Sequence, residues 1–320
     1  MSMPTPVNAL LLMLLLTAVA GCKPSPNATA VGETSTAGTT SAEPPTGATA
    51  MTTAQSSAAP TPTPVDPPMV RLPAGTYYQG SAGATGDDFA WQHLESVPAF
   101  DLDATEVTVE AYQDCLEAGA CTYAPRSTDC NMERERDEYK RDPVNCVTWE
   151  EAVKFCAWRG AGLPTDGMWE YAAGGRRNEQ YPWDPRLELR LDRRKTPFRP
   201  LFSAKYGSCR EGDSVSEIKI PQRAKYGRDT TCPVGSLPHG DTLDGVKDLA
   251  GNVAEWTQTP FCEHHKKLCE EGCRTVKGGA FNGIGNAGRL YRMSIDEKTW
   301  KPYIGFRCAR VVKADSKKGR

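Results

Sequence analysis

Twelve cysteines fall in a chain of 320 residues that also carries 25 prolines and 29 glycines. Cysteine at that density belongs to an oxidising compartment, where thiols pair. Proline and glycine at that density interrupt regular structure every few residues. Together they predict short elements joined by many turns and held by disulfides, an irregular, loop-rich α+β fold. Formal net charge is −2 and 39% of residues are hydrophobic. That balance gives no general attraction to nucleic acid, which is not expected as a partner, and no basis for a many-span membrane protein.

The first residues account for the compartment. Ala9 to Val19 is almost unbrokenly apolar, too short to span a bilayer comfortably and suited to a signal-peptide core. No Lys or Arg precedes it, so only the α-amino group supplies the positive end. The run closes in Val19-Ala20-Gly21-Cys22, which resembles a bacterial lipobox. Residues 1–22 are therefore expected to be a lipoprotein signal peptide, with Cys22 lipidated and the chain exported and anchored to the cell envelope. Lys23 follows the cysteine, and nothing there argues for retention at the inner membrane, so the outer membrane is expected. A diacylglycerol plus an N-acyl chain supplies more than the two signals that stable anchoring needs.

Residues 23–68 are Thr, Ser, Ala, Pro and Gly with almost no large apolar side chain. Such a segment cannot bury enough surface to offset its ordering entropy, so a disordered tether is expected. As a flexible coil it would reach roughly 35 Å. From Met69 onward aromatic residues, cysteines and alternating apolar positions appear, with no internal repeat and no second linker. Residues 69–313 read as one domain and 314–320 as a short basic tail.

Three helices are predicted. Thr148 and Glu151 form a capping box, with Val147 and Ala152 at the positions of a hydrophobic staple. Trp149, Ala152, Val153, Cys156 and Ala157 then recur at helical spacing up to Gly160, which suits a C-terminal cap. Thr108 can cap a helix carrying Ala111, Tyr112, Cys115 and Leu116 on one face and ending at Gly119. Thr165 can cap a third, running through Trp169, Tyr171, Ala172 and Ala173 to Gly174.

Eight stretches, in order, carry a resemblance to a known family: Leu72 to Ser81, Val97 to Tyr112, Pro143 to Gly175, Tyr181 to Asp184, Pro233 to Pro238, Gly245 to Thr257 (GVKDLAGNVAEWT), Val276 to Asn282 (VKGGAFN), and the closing pair GRLYRM and IGFRCARV. On these the chain resembles the formylglycine-generating-enzyme, or sulfatase-modifying-factor, family from Met69 to Val312. The resemblance implies a compact variant of the C-type lectin fold. Family members include copper-dependent oxidases that convert a sulfatase cysteine to formylglycine, and domains fused to iron-dependent sulfoxide synthases. Fold alone therefore does not fix the activity.

The active oxidases close a Gly-Gly-Ser motif with serine, and two cysteines follow that bind Cu(I), a soft ion that prefers sulfur. Ala280 stands here at the serine position, and Gly283 and Gly288 align with the cysteines, so copper is not expected. Cys262, His264, His265, Cys269 and Cys273 lie between two of the motifs and could hold zinc or copper, although paired cysteines and solvated histidines explain them more simply. The family's structural calcium implies Asp248, Gly251, Val253 and Glu255 as ligands, an oxygen-only set suited to a hard cation. A second calcium site of the family is damaged, with Lys205 at an asparagine position.

The resemblance also implies a Cys156–Cys308 disulfide. Cys115–Cys121, Cys130–Cys146 and Cys209–Cys232 are candidate local staples, and two of Cys262, Cys269 and Cys273 are expected to pair. With Cys22 lipidated, eleven cysteines are left, so at least one is free or intermolecular. The region that receives a peptide in the resembling enzymes retains Trp256, Phe281, Arg289, Tyr291, Arg292 and Arg307, where arginine could clamp a carboxylate or sulfated group. Arg292 and Arg307 could equally be buried ion-pair members. The expected function is a lipid-anchored binding or interaction module for a peptide or glycan. The alternative is a metal-dependent oxidoreductase using non-standard ligands.

Overall fold

The computed structural model describes residues 67–81, 92–134, 136–182, 231–236, 240–263, 268–281 and 288–312. The signal peptide, Cys22, nearly all of the tether, Lys205, Cys209, His264, His265, Gly283 and the basic tail lie outside the described residues. No described helix is long and apolar enough to cross a membrane.

The elements are short and divided among small sheets. β1 (Met69–Leu72), β4 (Phe100–Asp103) and β9 (Ala309–Val311) form an antiparallel sheet in the order β1-β4-β9. β2 (Gly75–Gln79) and β3 (His93–Val97) make a two-stranded ribbon, with Tyr77 opposite Glu95. A third sheet has the order β7-β6-β5-β8, from β5 (Ala254–Glu263), β6 (Leu268–Lys277), β7 (Met293–Asp296) and β8 (Ile304–Gly305). β8 runs parallel to the start of β5. Gly305 is needed there, because a Cβ would lie 2.5 Å from the Val144 carbonyl oxygen.

The caps act locally as their residue types require. α1 (Val109–Glu117) begins at Thr108, whose side chain accepts from the Ala111 N–H. α3 (Trp149–Trp158) begins with the complete Thr148–Glu151 capping box. α4 (Asp166–Ala172) begins at Thr165, which accepts from the Met168 N–H. Gly119, Gly160 and Gly174 follow the three helices at positive φ, as chain-reversing C-caps do. A further single-turn helix, α2, spans Arg136–Tyr139.

Two apolar clusters fill the interior. In the first, Tyr112 stacks on Phe155 at 5.5 Å and Phe306 meets Phe155 edge-on at 5.4 Å. The second gathers Leu72, Phe100, Leu102, Trp169, Tyr171 and Leu249 under α4. Disulfides join Cys115 to Cys121, Cys130 to Cys146, and Cys156 on α3 to Cys308 beside β9. The last closes 152 residues of sequence, worth about 5 kcal/mol in the chain-entropy account. Cys232, Cys262 and Cys273 are also disulfide-bonded, and no free cysteine occurs among the described residues.

Asp103 ties this junction together. One of its carboxylate oxygens accepts from Arg159 at 2.7 Å and from the Cys308 N–H at 2.8 Å. Burial pushes its carboxyl up to about 6, against the pull of Arg159, that N–H and Arg307. An unfolded Asp titrates near 3.9, so between these values the folded state holds the extra proton. The stability this group contributes is full below about pH 4 and is lost as pH rises through about 6, a difference of about 3 kcal/mol. A pH series of denaturation midpoints should therefore fall over that range, and Asp103→Asn should make it shallower. An unchanged slope in the variant would contradict the assignment.

Candidate functional site

The turn that opens β5 has an unusual backbone. Asp248, Gly251 and Asn252 have φ of 57°, 94° and 51°, a region that Asn and Asp tolerate better than other side chains. The turn delivers Glu255, fully buried, to the centre of the domain. Arg307 forks onto it: Nε donates to Oε2 and Nη2 to Oε1, both at 2.8 Å. Trp169 Nε1 donates to Oε2 at 2.8 Å. Arg307 also donates to the carbonyls of Asp103 at 3.0 Å and Lys247 at 2.8 Å.

Asp248 lies beside this pair and accepts from the Gly235 N–H. Its carboxyl is raised by burial, with the Gly235 N–H, Arg307 and a hydrogen bond with the Glu106 carboxyl opposing. Glu106 completes the cluster. It is fully buried, and its carboxyl meets the Asp248 carboxyl and its own backbone N–H, with no cation or other side-chain donor bonded to it among the described residues. Burial drives its carboxyl well above the usual range, the Asp248 and Glu255 charges add to that rise, and Arg307 opposes it. A buried carboxylate is normally paired with a cation or bound to a metal, so this one needs an explanation.

A hard cation would meet that need. Three carboxylates against one guanidinium leave two negative charges, which one divalent ion would cancel. No group of three or more His, Cys, Asp or Glu side chains among the described residues is arranged as a metal site. An ion here would have to add backbone carbonyls such as those of Gly251 and Val253. That oxygen-only chemistry suits calcium. Glu255 would be a weaker ligand than its motif position implies, because Arg307 and Trp169 already occupy most of its acceptor capacity. Glu106 is the residue that motif reasoning missed. Its sequence signal is an acid set among buried Ala104, Val107 and Val109.

The structure places most residues of the expected groove in the interior. Trp256 is fully buried and donates to the Val147 carbonyl at 3.0 Å. Arg289 is 3% exposed and bonds Glu170 Oε1 at 2.5 Å. Arg292 lies 4.3 Å from the centre of the Phe261 ring and donates to the Cys262 carbonyl at 2.7 Å. Arg307 is committed to Glu255. A guanidinium withdrawn from water needs internal acceptors, and each has found them, so none is available as a clamp. Phe281 and Tyr291 are half-buried.

Ala280 is fully buried and Gly288 is buried, with no thiol or hydroxyl at either. In the Cys262 cluster, His264 and His265 lie outside the described residues. Cys262 and Cys273 are disulfide-bonded and offer no thiolate to a metal. Cys262 faces Cys269 across the β5–β6 pair.

These features define a disulfide-stapled α+β domain of short strands around a buried carboxylate cluster. The chain belongs to the family described as Sulfatase-modifying factor enzyme 1-like domain, which it matches over residues 54–312. It is 29% identical over 183 residues to the "Inactive C-alpha-formylglycine-generating enzyme 2" of Bos taurus, covering 55% of this chain and 52% of that one. It is 28% identical over 212 residues to the formylglycine-generating enzyme of Mycobacterium tuberculosis, covering 59% and 63%. The chain thus spans about half the length of the bovine relative. Its fold is similar to that of PvdO from Pseudomonas aeruginosa, with a TM-score of 0.58 at 22% identity, covering 77% of this chain and 95% of that one.

Removing one member of the central pair tests its role. Arg307→Met leaves Glu255 buried without its partner, which should cost about 3–5 kcal/mol in the denaturation midpoint. A loss below about 1 kcal/mol would show that the pair is not holding the centre together.

Proposed function

We propose that this chain is a non-oxidative member of its family: a calcium-stabilised binding or interaction module for a peptide or glycan, carried on a lipid-anchored tether at the outer membrane. The observation that carries the proposal is the replacement of the family's serine and paired cysteines by Ala280, Gly283 and Gly288. Without thiolates the site has no soft ligands for Cu(I). Cys262 and Cys273 cannot substitute, being oxidised to disulfides. A relative whose name describes it as inactive supports the view that such domains can serve without the oxidase chemistry.

Calcium, in this reading, is structural. Glu106 and Asp248 would hold it with the carbonyls of Gly251 and Val253 and the residual capacity of Glu255. When bound, it supplies the positive charge that the cluster lacks. Lipid on Cys22 would keep the domain at the membrane, and residues 23–68 would let it stand off from the surface.

Peptide turnover tests the central point. The purified, oxidised chain is incubated with Cu(I), calcium, reductant, oxygen and a Cys-x-Pro-x-Arg peptide, and the peptide is followed by mass spectrometry. The expected result is no formylglycine and no copper retained after dialysis. Conversion of the cysteine would overturn the proposal and point to ligands elsewhere in the chain.

A further inference from the structure

We propose that Asn252 is a positioning residue for the candidate cation site, acting through a strap, residues 231–236, that it pins against the 248–252 turn. The inference rests on the calcium reading above and extends it to a residue that supplies no ligand itself.

Asn252 is 1% exposed and sits at positive φ between Gly251 and Val253, whose carbonyls are candidate ligands. Its side chain pairs with Cys232 as a strand would. The Cys232 N–H donates to Oδ1 at 2.9 Å, and Nδ2 donates to the Cys232 carbonyl at 3.3 Å. Its own carbonyl accepts from the Phe281 N–H at 3.0 Å. Three chain segments thus meet at one amide. Because the peptide plane bearing the Gly251 carbonyl also bears the Asn252 nitrogen, holding Asn252 holds that carbonyl's direction.

The strap reaches the site at a second point. Three residues beyond Cys232, the Gly235 N–H donates to Asp248 Oδ2, which fixes the orientation of that carboxylate. Its start is secured independently of the turn. Thr231 Oγ1 donates to Asp142 Oδ2 at 2.7 Å and accepts from Asn131 Nδ2 at 2.9 Å. The Val234 N–H donates to the Arg141 carbonyl at 2.9 Å. The strap is a braced beam, with Asn252 and Asp248 as its two attachments to the cation site. Metal affinity depends strongly on such outer contacts, whose loss typically costs 10–100-fold.

Terbium(III) reports on this directly, as a luminescent stand-in for calcium. Trp169 is hydrogen-bonded to Glu255 and can sensitise an ion held nearby. In the full-length chain, saturable sensitised emission displaced by calcium is expected. Two variants are compared at a temperature where both are folded. Asn252→Gly keeps the positive φ accessible and removes the clamp. Thr231→Val releases the start of the strap without touching the turn. The expected results are affinity at least tenfold weaker for Asn252→Gly and several-fold weaker for Thr231→Val.

A purely structural role would lower the melting temperature and leave affinity within twofold of wild type, which would overturn the proposal and leave the calcium reading standing. Weakening in Asn252→Gly alone would overturn the route through the strap. If Asn252→Gly fails to fold, the affinity of Thr231→Val decides. No saturable emission from the unaltered chain would sink the calcium reading and this inference with it.

Discussion

Arg307 enters the interior with its guanidinium spread over four acceptors: both oxygens of Glu255 and the carbonyls of Asp103 and Lys247. Those acceptors come from β5, the end of β4 and the approach to the 248–252 turn. Trp169 of α4 completes the contact through Glu255. The next residue, Cys308, is disulfide-bonded to α3 and gives its N–H to Asp103. Arg307 and its neighbour Cys308 therefore set the mutual positions of two strands, a turn and two helices. A fold with so little regular structure has few repeated hydrogen-bond ladders to do that work. Desolvating a guanidinium is tolerable only when its partners are in place.

The same economy creates the charge excess beside it. Arg307 satisfies Glu255 but leaves Asp248 and Glu106 competing for what positive field remains, and among the described residues Glu106 has no cationic partner bonded to it. The second buried network, of Lys277, Asp166, Glu170 and Arg289, differs in being balanced. There Lys277 lies 3.1 Å from Asp166 and 3.4 Å from Glu170, while Arg289 takes the other Glu170 oxygen. Two carboxylates meet two cations, and no ion is called for. The contrast between the two networks is the physical ground for proposing a cation at the first and not at the second.

What could be read from sequence divides by range. The three helix caps were legible because a Thr and the N–H three residues on form a local unit, as at Thr148 and Glu151. The family assignment was legible from motif order. The roles of Arg289 and Arg292 were not, since their partners Glu170 and the Cys262 carbonyl lie 119 and 30 residues away. An arginine beside aromatic residues reads alike whether it lines a groove or fills a core. Glu106 was passed over for a similar reason: its neighbours mark only a buried stretch of chain, and the fold alone brings Asp248 and Glu255 near it.

On the proposed reading, the missing sulfur ligands and the committed arginines leave this domain with chemistry that is structural. The most direct test is the thermal stability of the full chain in excess calcium and in chelator. A ligand at a hundredfold excess over its dissociation constant contributes about 2.7 kcal/mol. For a domain of this size that is roughly 5 °C or more. The account predicts a fall of that order on chelation, reversed by added calcium and absent in Glu106→Gln. A melting temperature indifferent to calcium would contradict it, and would mean that the cluster balances its charge by protonating its carboxylates instead.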